Sequence, residues 1–336
     1  MDYIILILVL ILLVVILNKI RSVSTFVSEV PGKTIWILWL QGWDEAPWLQ
    51  MRVAESWIKN NPGWNVQLVD EKNISTFVDI PYLNKASTPA AKSDIIRLYL
   101  LEKHGGVWAD STLLCMCPLD EWLFDALEPT GFWAYHHGKD GFATSWFIAT
   151  TIHSEIIKKW KNECDNYWST RHKEDQYYWL DRLFEKLMAE DPTFAAEWGR
   201  VPFLDSELPG QPHMLGGKTQ QNNAELKKIL NEHPPYVLKL SSGWNEGQAF
   251  SEKMLESNAY HAIQIALGDS QPKLHALEHK PHDPKFDDSV VVVADCGNGD
   301  DVRKILKLKN DVRVYDKCNF CKAAPDGVWC RPLKNV

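Results

Sequence analysis

The chain has 336 residues, enough for one large domain and an appendage. Its 45% hydrophobic and 24% charged content is that of a globular protein and excludes wholesale disorder. A net charge of −8 excludes a general nucleic-acid binder, which needs a basic surface, but leaves room for a phosphate-bearing ligand held by a few local cations.

Tyr3 to Leu17 is an unbroken apolar run, followed by Asn18, Lys19, Ile20 and Arg21. At about 1.5 Å per helical residue, Ile20 and a snorkelling Lys19 bring it close to the ~30 Å hydrocarbon core. No Lys or Arg precedes the run, and the basic residues follow it. That pattern predicts an uncleaved transmembrane anchor over residues 1–21, with a linker over 22–32. The positive-inside tendency then places the remainder on the cytoplasmic side.

Between residues 33 and 265 strands and helices alternate, which predicts an α/β sheet with helices on both faces. Residues 34–40 form a strand-like apolar run, 47–59 have helical spacing with Pro47 in the first turn, and 65–69 form a second strand. A short helix near 73–78 and a break at Pro81 follow. Ser87 or Thr88 then caps a helix over about 89–103. His104, Gly105 and Gly106 end it, with Gly105 as the left-handed cap.

Val107-Trp108-Ala109-Asp110 reads as a short buried strand with Asp110 at its carboxyl end, where open α/β sheets bind ligands. Asp94 and Arg97 lie at i and i+3 on one helix face. Carboxylates accept sugar hydroxyls and arginine grips phosphate, so the three suit a ligand that carries both. Taken singly, the same residues read as a solvated helix pair and a turn carboxylate. The succession of helix, Gly-Gly, strand and Asp favours the site. Downstream, Glu174-Asp175-Gln176 opens a helix-like stretch, read either as a functional element or as an acidic first turn. His213 sits in a Pro/Gly-rich loop.

Residues 266–288 lack apolar periodicity and read as a linker. Residues 289–336 read as a short α/β segment: a strand, a turn at Gly297 and Gly299, a helix over 300–308 and a strand over 312–315. This is the start of a second domain or a small add-on packed against the first. Asp295, Gly297 and Gly299 resemble the first motif of S-adenosylmethionine-dependent methyltransferases. The seven cysteines include Cys296, Cys318, Cys321 and Cys330, but their spacing fits reduced structural thiols better than a zinc site.

Residues 91–112, AKSDIIRLYLLEKHGGVWADST, resemble the signature of the capsular polysaccharide synthesis proteins, within the wider group of sugar transferases that carry a DXD motif. Pro31 to Gly42, Pro47, Ser56-Trp57, Asn61-Pro62-Gly63 and Leu68-Val69-Asp70 continue the resemblance. It covers about residues 30–250. It implies a GT-A fold, with a Rossmann-like mixed sheet, acting on a UDP- or GDP-sugar and a glycan or polysaccharide acceptor, with retention.

Carried over by residue, the donor site is Trp39, Ser93, Asp94, Arg97, Trp108 and Asp110, closed by a loop with Ser242 and Trp244. Asp94, Arg97, Asp110 and Asp175 carry the chemistry. A divalent cation, Mn²⁺ or Mg²⁺, is held by Asp110, Thr112 and His213. The second Asp of DXD is Thr112 here, which weakens the metal site, since these ions prefer carboxylate oxygens. The alternatives are a non-catalytic glycan- or nucleotide-binding protein, or a bifunctional chain whose tail belongs to a methyltransferase or second transferase.

Overall fold

The computed structural model describes residues 32–138, 141–241 and 255–268, and three short strands beyond them. In chain order, the first elements are β1 (Thr34–Leu38), α1 (Trp48–Asn60), β2 (Asn65–Val69) and α2 (Pro89–His104). There follow β3 (Gly106–Ala109), β4 (Leu113–Cys115), α3 (Leu123–Leu127), β5 (Phe132–His136) and β6 (Ala143–Thr150). The helices α4 (Glu155–Ser169), α5 (Trp179–Glu190), α6 (Pro192–Trp198) and α7 (Ala224–Glu232) precede β7 (Val237–Lys239) and α8 (Asn258–Ala266).

Five strands form one mixed sheet in the order β2-β1-β3-β6-β5. β1 runs parallel to both β2 and β3, and β6 is antiparallel to β3 and β5. Every residue of β3 is buried, as is all of β1 after Thr34, because helices cover both faces of the parallel part. The parallel strands end at Leu38, Val69 and Ala109, so Trp39 and Asp110 emerge at the same edge of the sheet. A separate antiparallel pair, β4 with β7, lies beyond that edge.

Local chemistry sets where α2 stops and β3 begins. The Thr88 hydroxyl caps α2 by accepting from the Ala91 N–H at 3.1 Å. Gly105 closes it with φ 63°, donating to the Leu101 carbonyl at 2.8 Å. Gly106 has φ 92°, and a side chain there would run into the Thr34 carbonyl of β1. The Trp36 indole on β1 donates to the Gly105 carbonyl at 3.0 Å, which locks the turn to the sheet.

Ser56 and Trp57 of α1, and Asn61 just past its end, anchor β4 and the turn after it. The Trp57 indole donates to the Leu113 carbonyl at 2.7 Å, and the Ser56 hydroxyl accepts from the Cys115 N–H at 3.0 Å. Asn61 accepts from the Leu119 N–H at 2.8 Å. Ten of the fourteen tryptophans among the described residues are buried, so most serve packing rather than ligand stacking.

Several expectations change. Helical spacing places Pro47 in the first turn, yet it is the cap that precedes Trp48. The short helix near 73–78 is a single 3₁₀ turn, Ile74–Thr76. Within the stretch read as a linker, β8 (Leu274–Leu277) pairs antiparallel with β9 (Val291–Ala294), while β10 (Val314–Asp316) runs parallel to β9. Four residues are too short a run to register as periodicity.

Cys115 and Cys164 are free buried thiols, but Cys117 is disulfide-bonded, so the reading of reduced cysteines fails there. Spacing along the chain does not say which thiols meet in space. No helix among the described residues is long and apolar enough to cross a membrane. The apolar run 3–17, the turn at Gly297 and Gly299, and the loop residues Ser242 and Trp244 lie outside the described residues.

Candidate active site

A cavity of about 470 Å³ opens at the carboxyl edge of β1 and β3. Its lining includes Trp39, Ser93, Asp94, Arg97, Trp108, Asp110, Thr112 and His213. These residues come from the end of β1, the middle of α2, the end of β3 and a loop before α7, so the fold gathers most of the expected set in one place.

Arg97 is the hub of one wall. Its side chain is only 6% exposed. One guanidinium nitrogen lies 2.9 Å from Asp94 Oδ1. The other is 3.4 Å from Asp110 Oδ1 and donates to the Ser93 hydroxyl at 3.2 Å. The guanidinium also stacks 5.1 Å from the Trp108 ring centroid. Trp108 in turn donates its indole N–H to Asp110 Oδ1 at 3.0 Å.

Asp110 is held from the backbone as well, because its N–H donates to the Trp146 carbonyl of β6 at 3.0 Å. On its other oxygen, Oδ2, it meets Lys239 Nζ at 2.6 Å. The sequence did not single out Lys239. It arrives through the β4–β7 ladder, where Lys239 pairs with Leu113 and the Leu240 N–H donates to the Thr112 carbonyl at 2.9 Å. The visible signal was a lysine inside the apolar run Tyr236-Val-Leu-Lys239-Leu240.

The two carboxylates titrate in opposite directions. Burial would raise Asp110, but the Lys239 ammonium and the Arg97 guanidinium outweigh it and hold the group below the ordinary carboxylate range. Asp94 is pushed up to about 7 by burial, with the charges of Asp181 and Asp110 adding to the shift and Arg97 opposing it. Asp181, in the first turn of α5, also lines the cavity and is pushed up to about 6, chiefly by burial.

The rest of the lining includes Tyr177, Tyr178, Asp181 and His137. Tyr177 and Tyr178 are 74% and 64% exposed and meet edge to face at 4.9 Å. Asp175, expected to carry chemistry, does not line the cavity. It accepts from the Tyr167 hydroxyl at 2.7 Å, and its own N–H donates back to that oxygen at 3.0 Å. The helix starts at Trp179, and the acidic stretch before it is a turn.

Glu174 clasps the start of α2. It accepts from the Ser87 N–H at 2.9 Å, the Ser87 hydroxyl at 2.6 Å and the Thr88 hydroxyl at 2.9 Å. Burial alone would raise Glu174, but these donors bring it down to about 2.

The residues named for a divalent cation do not make a ligand set. Both oxygens of Asp110 are engaged by cations, Thr112 offers a neutral hydroxyl and is 8% exposed, and His213 Nδ1 faces Glu207. Among the described residues no three His, Cys, Asp or Glu side chains group to hold a metal. A cation next to Asp110 Oδ2 would also face the Lys239 ammonium. Unit charges 4 Å apart repel by about 4 kcal/mol at an effective dielectric constant near 20, and a divalent ion by more. The residues present therefore do not fit the metal.

The chain resembles known proteins. The chain is 27% identical over 296 residues to the glycosyltransferase afumC of Aspergillus fumigatus, covering 80% of this chain and 72% of that one. It is 24% identical over 251 residues to the O-glycosyltransferase braB of Annulohypoxylon truncatum, covering 68% of this chain and 56% of that one. Among solved structures, the PaToxG glycosyltransferase aligns at a TM-score of 0.35 and 15% identity, covering 75% of this chain and 96% of that one. So distant a likeness says nothing about activity. The capsular polysaccharide synthesis protein family matches residues 17–256, most of the chain. The chain belongs to that family and is a glycosyltransferase.

Proposed function

We propose that the cavity binds a nucleoside diphosphate sugar, UDP- or GDP-linked, in a GT-A arrangement, and that the enzyme transfers its hexose to a hydroxyl of a glycan or polysaccharide. The observation that carries this reading is the Asp94–Arg97–Asp110 constellation at the carboxyl end of β3, inside a cavity of about 470 Å³. The carboxylates suit ribose and sugar hydroxyls, and the guanidinium suits a phosphate. Trp39, half-buried at the end of β1, offers a face for the base.

In the reaction the acceptor oxygen bonds to the anomeric carbon. The bond from that carbon to the phosphate oxygen breaks, and its electron pair leaves with the nucleoside diphosphate. The acceptor proton passes to the departing phosphate, which fits retention of configuration and needs no separate base. Fixed charge aimed at the departing phosphate lowers the barrier, and orienting the acceptor hydroxyl lowers it further. An acceptor oxygen agrees with the name of one relative, an O-glycosyltransferase.

A thermal-shift screen across UDP- and GDP-sugars tests the donor, since a bound ligand raises the melting temperature by mass action. A shift with one donor class, with release of the matching nucleoside diphosphate when acceptor is added, is the expected result. No shift and no release with any of them would sink the reading. The apolar run 3–17 is proposed as a single-pass anchor that leaves the enzyme on the cytoplasmic side. Alkaline carbonate extraction of membranes and protease protection test the anchor and its orientation.

A further inference from the structure

The resemblance expects a divalent cation at the turn after β3, and the residues there do not fit one. We propose that Lys239 is the resident cation of this transferase: its ammonium holds Asp110 and receives the donor diphosphate where related enzymes use a metal. This rests on the donor assignment above.

Three observations support it. Asp110 Oδ2, the oxygen a metal would need, is 2.6 Å from Lys239 Nζ. Thr112, the position of the second motif carboxylate, is a neutral and buried hydroxyl. The lysine is placed with care: β7 pairs with β4 directly after the Asp110-Ser111-Thr112 turn, and the Lys239 N–H donates to the Pro212 carbonyl at 3.0 Å. Val237, Leu238 and Leu240 around it are buried, so the strand holds the ammonium at the cavity wall with its side chain 22% exposed.

An ammonium has three hydrogens to donate. Asp110 takes one, and the cavity wall gives the rest access to a phosphate. When the bond between the anomeric carbon and the phosphate oxygen breaks, the electron pair stays on that oxygen. Lys239 and Arg97 meet the developing negative charge as fixed donors. Lys239 gives up no proton and undergoes no net change.

The replacement also explains the carboxylate that remains. Arg97 and Trp108 engage Asp110 Oδ1, so without a metal Oδ2 would lack a cation; paired with Lys239 it serves as the brace that aims the ammonium.

The test is a calorimetric titration of UDP and of GDP into the full chain, first in EDTA and then with Mn²⁺. One nucleotide is expected to bind in EDTA, with Mn²⁺ changing the dissociation constant by less than about threefold. Lys239→Met is expected to weaken that binding roughly ten- to a hundredfold, the cost of a lost charge-assisted bond, and Lys239→Arg to restore most of it. Binding that appears only with Mn²⁺ overturns the inference and leaves the donor assignment standing. Unchanged binding by a folded Lys239→Met overturns it too. No binding in either buffer overturns the donor assignment and this inference together. The wild-type titration decides the point even if Lys239→Met fails to fold.

Discussion

Two parts of the cavity lining are built on different principles. The wall of α2, β3 and β7 is a closed network in which Ser93, Asp94, Arg97, Trp108, Asp110 and Lys239 each hold another member. Another part of the lining presents Tyr177 and Tyr178 to solvent, on a turn fastened to the rest of the protein by Glu174 and Asp175. A preorganised wall suits the part of the reaction that never varies, the charged leaving group. Under the proposed function, an open aromatic wall suits a sugar acceptor, whose apolar faces stack on exposed rings.

Four variants break or sharpen this contrast. Arg97→Ala strikes the closed wall hardest. It leaves Asp94 and Asp110 with less compensation, and chemical denaturation is expected to show a loss of roughly 3–5 kcal/mol. Transfer, measured at a temperature where the variant is folded, falls on the order of a hundred- to a thousandfold. Normal turnover would mean that the network is structural only.

Gly106→Ala tests the footing of the same wall. The left-handed backbone and the Thr34 carbonyl both oppose a side chain there. The expected loss is about 1–3 kcal/mol in a denaturation midpoint, with the activity of the folded fraction retained.

The joint substitution Tyr177→Ala and Tyr178→Ala addresses the open wall. Stability is expected to hold within about 0.5 kcal/mol, because both rings are exposed. Acceptor KM should rise roughly tenfold through lost ring contact, while nucleotide affinity stays unchanged. A rise in nucleotide dissociation constant instead would assign the rings to the donor.

Glu174→Gln has the smallest effect. Glu174 titrates near 2 in the folded chain against an ordinary 4.5, so its contribution is present above about pH 4.5 and is lost as pH falls toward 2. The group is largely solvated, so the loss at neutral pH should stay under about 1 kcal/mol. The sharper sign is that melting temperatures of wild type and variant converge at low pH.

What the sequence revealed follows the range of the interactions. Asp94 and Arg97 share a helix face, and Asp110 ends the next strand only thirteen residues from Arg97, so helical spacing and the Gly-Gly break were enough. Lys239 stands 129 residues from its carboxylate partner. Its place depends on the β4–β7 register, which no local pattern displays. Asp175 was chosen because the Asp175-Gln176 pair, at the head of a helix-like stretch, resembles the acceptor-facing element of related sugar transferases. The helix begins at Trp179, so Asp181 takes the cavity position and Glu174 serves α2 instead. The mixed α/β sheet was legible because buried strands and capped helices are written in short runs. The strand at 274–277 was missed for want of length.

The Glu174 clasp has a consequence for how such an enzyme diversifies. Two carboxylates fasten residues 171–178: Glu174 to Ser87 and Thr88, at the head of the helix that bears Ser93, Asp94 and Arg97, and Asp175 to Tyr167 of α4. The stretch is thus a cassette with two latches, one on α2 and one on α4. If the proposed function holds, its exposed side chains are the place to alter acceptor choice, so long as Glu174, Asp175 and their partners Ser87, Thr88 and Tyr167 are kept.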